Sequence, residues 1–344
     1  MDITKRDSKM LKGFAIISML MLHLFCRLDK LPYTPLLWIG DTPVVYYFGL
    51  FGDLCVAVFC FISGYAHYMQ SFKTELHDRW RRLLRFMIVF WTIAVLFSII
   101  GLVCGNAAIP NSVTELVLNC LTVKNSYNGA WWYANTYILL IALEPLSCAF
   151  AQRCKPWLVL AATFVFYIIG YGIRFWSWGA CEPVILSWII THIGLLGTSY
   201  FPYAIGMLFR KYQVISRLRA VLNRLHSQYI YIYIYIITAI CFAAMIVLHG
   251  IVPTLFVAVF TAVASITLMC LCPLPLWLTD VLCYFGEHST NIWLVHMFFY
   301  STLFSGLVFA ARYPVLVFAL LLALSLASSY VINWLSRPIL KLIK

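Results

Sequence analysis

Polar and apolar positions divide the chain into a series of apolar blocks separated by short polar stretches. A helix of about 20 predominantly apolar residues matches the hydrocarbon thickness of a bilayer. Such blocks fall near 10–27, 46–70, 86–104, 131–150, 156–174, 193–209, 228–248, 252–272, 290–310 and 314–335. The pattern predicts an all-α integral membrane protein of about ten transmembrane helices, with residues 1–344 forming one polytopic domain. Residues 175–195 are the least regular part and could hold a re-entrant segment. The tract from Tyr229 to Ile236 alternates at period two, as a strand would. Its apolar continuation to Leu248 is long enough to span, so a helix is predicted there too.

Composition agrees with this pattern. The 344 residues are 63% hydrophobic and 10% charged, against roughly 25% charged in soluble domains. Hydrocarbon offers no water to backbone polar groups, so only helices or a closed barrel can cross it. Continuous apolar blocks favour helices over barrel strands, which alternate over about ten residues. Nineteen of the 24 lysines and arginines fall on one set of alternate connecting segments, which predicts that both termini are cytoplasmic. The net charge of +12 then needs no nucleic acid to explain it. The first apolar block lacks a small-residue cleavage site and reads as a retained anchor rather than a signal peptide. The twelve cysteines are scattered, and no Cys/His group has zinc spacing, so no metal is expected.

Titratable groups in hydrocarbon cost several kcal/mol, roughly 2.5–3.5 on insertion scales, and usually mark function. Here they are Asp53, Glu144, His192, His23 and His296, with Lys12, Arg82 and Arg85 at the inner surface. Eleven residues separate Lys12 from His23. At 100° per residue that is within about 20° of three full revolutions, so both share a helix face, about 16 Å apart along the axis. This spacing predicts Lys12 at the inner rim and His23 near mid-membrane. Imidazole exchanges protons near neutral pH without large tuning; the alternative is a histidine bonded to a neighbouring helix for packing. Ser63 and Gly64 offer either a direct role or a small-residue packing notch. Arg82 and Arg85 share a face and suit phosphate oxygens, or simply follow the basic-inside rule. His296 is expected about two turns into the ninth span, with Ser289 as that helix's N-cap. Trp131, Trp132, Tyr133, Trp176, Trp178, Trp188 and His192 crowd the predicted outer ends of spans and one outer loop, as an interfacial aromatic belt or a platform for a sugar ring.

Taken in order, these residues resemble the membrane acyltransferase-3 family, whose members O-acylate surface carbohydrates and related acceptors. Lys12 through His23 is similar to its first-helix signature. Val56 through Phe59, with Phe61-Ile62-Ser63-Gly64-Tyr65, resembles its second-helix motif, and Arg82-Leu83-Leu84-Arg85 its paired arginines. Trp132-Tyr133 with Pro145, Phe201 with Gly206, and Ser289 through His296 match later signatures. Lys12 departs from the usual arginine: it keeps the charge but not the planar bidentate fork. The resemblance implies ten spans in a plasma or inner membrane. It also implies an acyl-CoA donor on the cytoplasmic side (acetyl-CoA in the first instance) and an acceptor hydroxyl on a glycan or lipid-linked sugar. Lys12, Arg82 and Arg85 would hold the CoA phosphates. His23 would be general base or transient acyl carrier, and His296 and Ser63 would orient groups about the thioester. Trp132, Tyr133 and His192 would receive the acceptor. A transporter or flippase without acyl chemistry is the competing reading, although the internal repeats such proteins often carry are not evident.

Overall fold

A computed structural model describes residues 2–29, 31–70, 76–175, 183–224, 230–252 and 256–343, with the backbone alone at 230 and 231. Of the sequence features, Trp176, Trp178 and Tyr229 lie outside the described residues. The chain is helical almost throughout. In order come α1 (Lys5–Phe25), a two-stranded ribbon of β1 (Trp38–Ile39) and β2 (Thr42–Pro43), α2 (Val44–Phe51), α3 (Cys55–Gln70), α4 (Leu76–Val103) and α5 (Val113–Cys120). Then follow α6 (Trp132–Arg153), α7 (Pro156–Phe175), α8 (Val184–Tyr212), α9 (Val214–Arg224), α10 (Ile230–Ile251), α11 (Ala258–Leu271), α12 (Leu276–Met297), α13 (Ser305–Phe309) and α14 (Pro314–Leu342).

Among the described residues eight helical stretches are long and apolar enough to cross a membrane. They overlap eight of the ten predicted blocks. The other two blocks are helical but differently built. The block at 252–272 holds α11, of 14 residues. The block at 290–310 is displaced, because α12 begins at Leu276 and ends at Met297, followed by a π-helical turn at Phe298–Thr302. Ser289 therefore lies inside α12 and is not its N-cap. Residues 184–195 are the first turns of α8, so the re-entrant expectation fails over that part. The alternating tyrosine–isoleucine tract is helical from Ile230, because spanning length and backbone satisfaction outweigh a period-two pattern.

The chain divides into two compact units. One comprises Met1–Leu22, Tyr47–Lys73 and Ala142–Glu287. Helices cannot gain from burying apolar surface when lipid is equally apolar, so close backbone approach through small residues holds them together. A Cβ on Gly64 would sit 1.9 Å from the Tyr203 carbonyl oxygen, and one on Gly206 would sit 2.0 Å from that of Phe61. Each glycine thus admits the other helix's backbone, and α3 and α8 pack in direct contact. The packing reading of Gly64 holds. Gly13 and Gly286 do the same for α1 and the first half of α12. In this unit His67 and Glu144 are both buried, with His67 Nδ1 3.9 Å from Glu144 Oε2 and 2.9 Å from the Tyr203 hydroxyl. Asp53, in the turn before α3, has Arg174 of α7 as an electrostatic partner, and Arg174 also donates to Thr198 Oγ1 at 3.2 Å.

The second unit comprises His23–Tyr46, Thr74–Ile141 and His288–Lys344. Aromatic packing joins α4 to the end of α12: Phe86 stacks on Trp293 (6.2 Å, 10°) and Phe97 on Phe298 (4.2 Å, 9°). Both pairs advance in the same chain direction, so α4 and this part of α12 run parallel.

Candidate active site

His23 and His296 meet in the second unit. His23 lies in the last turn of α1 and His296 in the last turn of α12. Both are therefore near helix ends, and His296 is not two turns into its helix, as the sequence put it. The cause is where α12 starts, at Leu276, well before the apolar block that defines it. The imidazole centroids are 4.8 Å apart. Tyr300 completes the group, 5.8 Å from each ring and nearly coplanar with His296 (13°). Its hydroxyl is 3.3 Å from His23 Nδ1. His23 is half-buried and His296 has no exposed surface.

The hydrogen bonds fix one tautomer. His296 Nδ1 is 2.7 Å from the Trp293 carbonyl oxygen. A carbonyl can only accept, so Nδ1 carries the proton and the neutral ring has its lone pair on Nε2. That Nε2 is buried with no hydrogen-bond partner among the described residues. A buried, oriented, unpaired lone pair is expensive as a packing element and suited to taking up a proton handed on by a group packed against it. The tautomer of His23 depends on which way the Tyr300 hydroxyl turns.

The turn that presents His296 is held from outside. Asn128 Nδ2 and Trp131 Nε1 both donate to the Leu294 carbonyl, at 2.8 and 2.9 Å, and Trp293 Nε1 donates to the Ala130 carbonyl at 3.0 Å. The π-helical turn begins two residues after His296. Such turns disturb the regular helical ladder and are frequent at functional sites. The segment 128–131 therefore clamps the end of α12 through three bonds from buried side chains or to their backbone.

The remaining predicted residues divide by unit. Arg82 and Arg85 are on the early turns of α4. Arg85 Nη2 donates to the Ile343 carbonyl at 3.0 Å, and its neighbour Phe86 stacks on Trp293. The paired arginines thus belong to the helix that buttresses the histidine turn. Tyr133 is buried and edge-on to Trp293 (5.4 Å, 73°), with Trp132 edge-on to Tyr133. Both line that same buttress. Lys12, Ser63 and His192 belong to the other unit. Lys12 and His23 are nonetheless on one continuous helix, so their shared face and roughly 16 Å separation stand. His192 Nδ1 donates to the Trp188 carbonyl at 2.8 Å and its ring packs 4.0 Å from that of Trp188.

A family model described as an acyltransferase domain, acyltransferase-3, matches residues 7–334. The chain belongs to the acyltransferase-3 family. It is a membrane acyltransferase, and the transport reading without acyl chemistry gives way. No curated protein and no solved structure matches it. For an acyltransferase-3 member the imidazole pair is the arrangement with the clearest chemical capacity. Sequence reasoning missed Tyr300, although its spacing of four from His296 puts both on one helical face. It also missed Asn128, because a loop asparagine in a polar segment carries no signal of what it will clamp. No group of three or more His, Cys, Asp or Glu side chains among the described residues is placed to hold a metal.

Proposed function

We propose that this acyltransferase moves an acyl group, acetyl in the first instance, from cytoplasmic acyl-CoA to a hydroxyl of a glycan or lipid-linked sugar at the outer face. In this reading the chain crosses a plasma or inner membrane ten times and has both termini in the cytoplasm. The parallel course of α4 and α12 supports it, since a third and a ninth span must run in the same direction. Lys12, Arg82 and Arg85 would receive the phosphates of CoA, with charge rather than a planar fork supplied by Lys12. His23, the reachable imidazole, would meet the reacting groups, with Ser63 orienting the donor and Trp132, Tyr133 and His192 on the acceptor side.

The chemistry needs one base. The acceptor O–H gives its proton to imidazole as the new C–O bond forms, the thioester C–S bond breaks, and the CoA sulfur leaves as a thiolate that is then protonated. If the acyl group first rests on the imidazole, an N–C bond forms and breaks between those steps with the same balance. The observation that carries the proposal is the His23–His296 pair with its bare, oriented Nε2. General-base action supplies roughly 10²–10⁴-fold, and positioning and charge stabilisation supply the rest. Release of labelled acetyl from acetyl-CoA by the purified chain in proteoliposomes tests this. Wild type should turn over and His23→Ala, equally folded, should not. No turnover by wild type with crude surface glycan present would reject acetyl-CoA as donor.

A further inference from the structure

The Leu294 carbonyl, two residues before His296 on α12, takes two side-chain donors at once. Asn128 Nδ2 reaches it at 2.8 Å and Trp131 Nε1 at 2.9 Å. Both donors come from one short segment and are buried, with 0% and 2% of their surface exposed. Asn128 is itself fixed, because its Oδ1 accepts from the Ala130 amide at 2.9 Å and caps the turn Gly129–Trp131. The Trp131 ring packs on both Phe90 and Phe298, with centroids 4.6 and 5.7 Å away. Neither donor can leave the carbonyl without breaking these contacts. All of these residues belong to the unit that holds the imidazole pair.

A carbonyl oxygen has two lone pairs. In a regular helix the Leu294 carbonyl would accept from the Phe298 amide, four residues on. Here side chains claim both lone pairs, so the Phe298 amide competes for an oxygen already satisfied. The helix widens at that residue. A π-helical turn starts at Phe298, and the Leu303 amide donates to the Phe298 carbonyl, five residues back, at 2.9 Å. The Thr302 hydroxyl likewise reaches five residues back, to the Met297 carbonyl at 3.3 Å. Tyr300 sits within this turn, its ring 13° from the plane of His296 and its hydroxyl 3.3 Å from His23 Nδ1. A π turn rotates less per residue than an α-helix, so a regular ladder would carry Tyr300 to a different bearing. A clamp that served stability alone would not need a carbonyl that the helical ladder already uses.

We propose that Asn128 and Trp131 are positioning residues for acyl transfer: by saturating the Leu294 carbonyl they set the π turn that places Tyr300 against His23 and His296. They touch no reacting group and act on the rate through this turn. This rests on the imidazole pair being the reacting centre.

The test is a rate cycle on the full chain in proteoliposomes, with acetyl-CoA and crude surface glycan as substrates. Trp131→Phe deletes one donor and keeps a ring on Phe90 and Phe298; Asn128→Ala deletes the other. Each should lower kcat by about tenfold or less and the two together by about 10²-fold, the scale of a 1 Å misplacement. The KM for acetyl-CoA should not move. Tyr300→Phe, which alone costs about fivefold through one hydrogen bond, should cost nothing further in the doubly substituted chain, because the hydroxyl has already left His23. Trp91→Phe is the matched control: it deletes an indole bond to the Cys120 carbonyl (2.9 Å) between α4 and α5 and should leave kcat at wild type. If Trp131→Phe does not fold, Asn128→Ala carries the same comparison. Wild-type kcat in the folded loop variants, or an undiminished Tyr300→Phe loss in their background, would overturn the proposal and leave a structural clamp. His23→Ala measured beside them separates the two readings. Full activity there overturns the imidazole centre and this proposal with it, whereas its loss beside wild-type rates in the loop variants overturns this proposal alone.

Discussion

The two units each bury a histidine beside a tyrosine, and the difference between the two groups shows what burial alone does not. His67 has the Tyr203 hydroxyl at 2.9 Å and the Glu144 carboxylate at 3.9 Å. His23 has the Tyr300 hydroxyl at 3.3 Å and, in place of a carboxylate, the imidazole of His296. A carboxylate next to an imidazole lets the pair settle its charge internally, and the group joins α3, α6 and α8. A second imidazole provides no counter-charge. With its Nδ1 committed to a carbonyl, His296 keeps a lone pair for chemistry. Both sites pay the desolvation cost that marks intramembrane ionisable groups, so cost identifies candidates and the neighbouring atoms decide between structure and reactivity.

This contrast can be broken at several points. His23→Ala or His296→Ala should each lower acyl transfer by about 10²–10⁴-fold while leaving the melting temperature near wild type. Glu144→Ala should do the reverse. Breaking a buried pair costs about 3 kcal/mol or more, so the variant should melt lower in detergent while its folded fraction transfers acyl groups at close to the normal rate. A large rate loss in stably folded Glu144→Ala would merge the two groups into one functional class. Tyr300→Phe removes one hydrogen bond, worth about 1 kcal/mol, and should slow transfer by only about fivefold.

The smallest effect lies outside the spans. Ser126 Oγ and Lys124 Nζ donate to the Glu115 carboxylate and hold its pKa below the usual range. A depressed folded-state pKa stabilises the loop above the unfolded-state pKa, and that stabilisation is lost as pH falls through the folded value. Amide protection across residues 111–127, referred to the intrinsic exchange rate at each pH, should therefore fall modestly below about pH 4, and Glu115→Gln should flatten the change.

Much of this was legible in sequence. Apolar block length predicted eight of the spanning helices, and the ordered motifs pointed to the family and to both histidines. Helix starts were less legible. Lys5–Lys9 and Leu276–Gly286 are partly polar, so a hydropathy pattern excludes turns that close backbone packing at Gly13 and Gly286 makes helical. Glu144 stood out as a charge in an apolar block. Its neighbour His67, close to a polar segment, did not, because contact between α3 and α6 has no local signature. The tautomer of His296 was also beyond sequence, since it depends on one carbonyl turned toward one ring nitrogen.

The most direct test of the imidazole pair is a double-mutant cycle on transfer rate with His23→Ala, His296→Ala and the two combined. If the rings act as one unit, the double variant is no slower than the slower single, as residues of a shared catalytic group behave. Multiplicative losses would mean two independent roles, and full activity in either single variant would contradict the account outright.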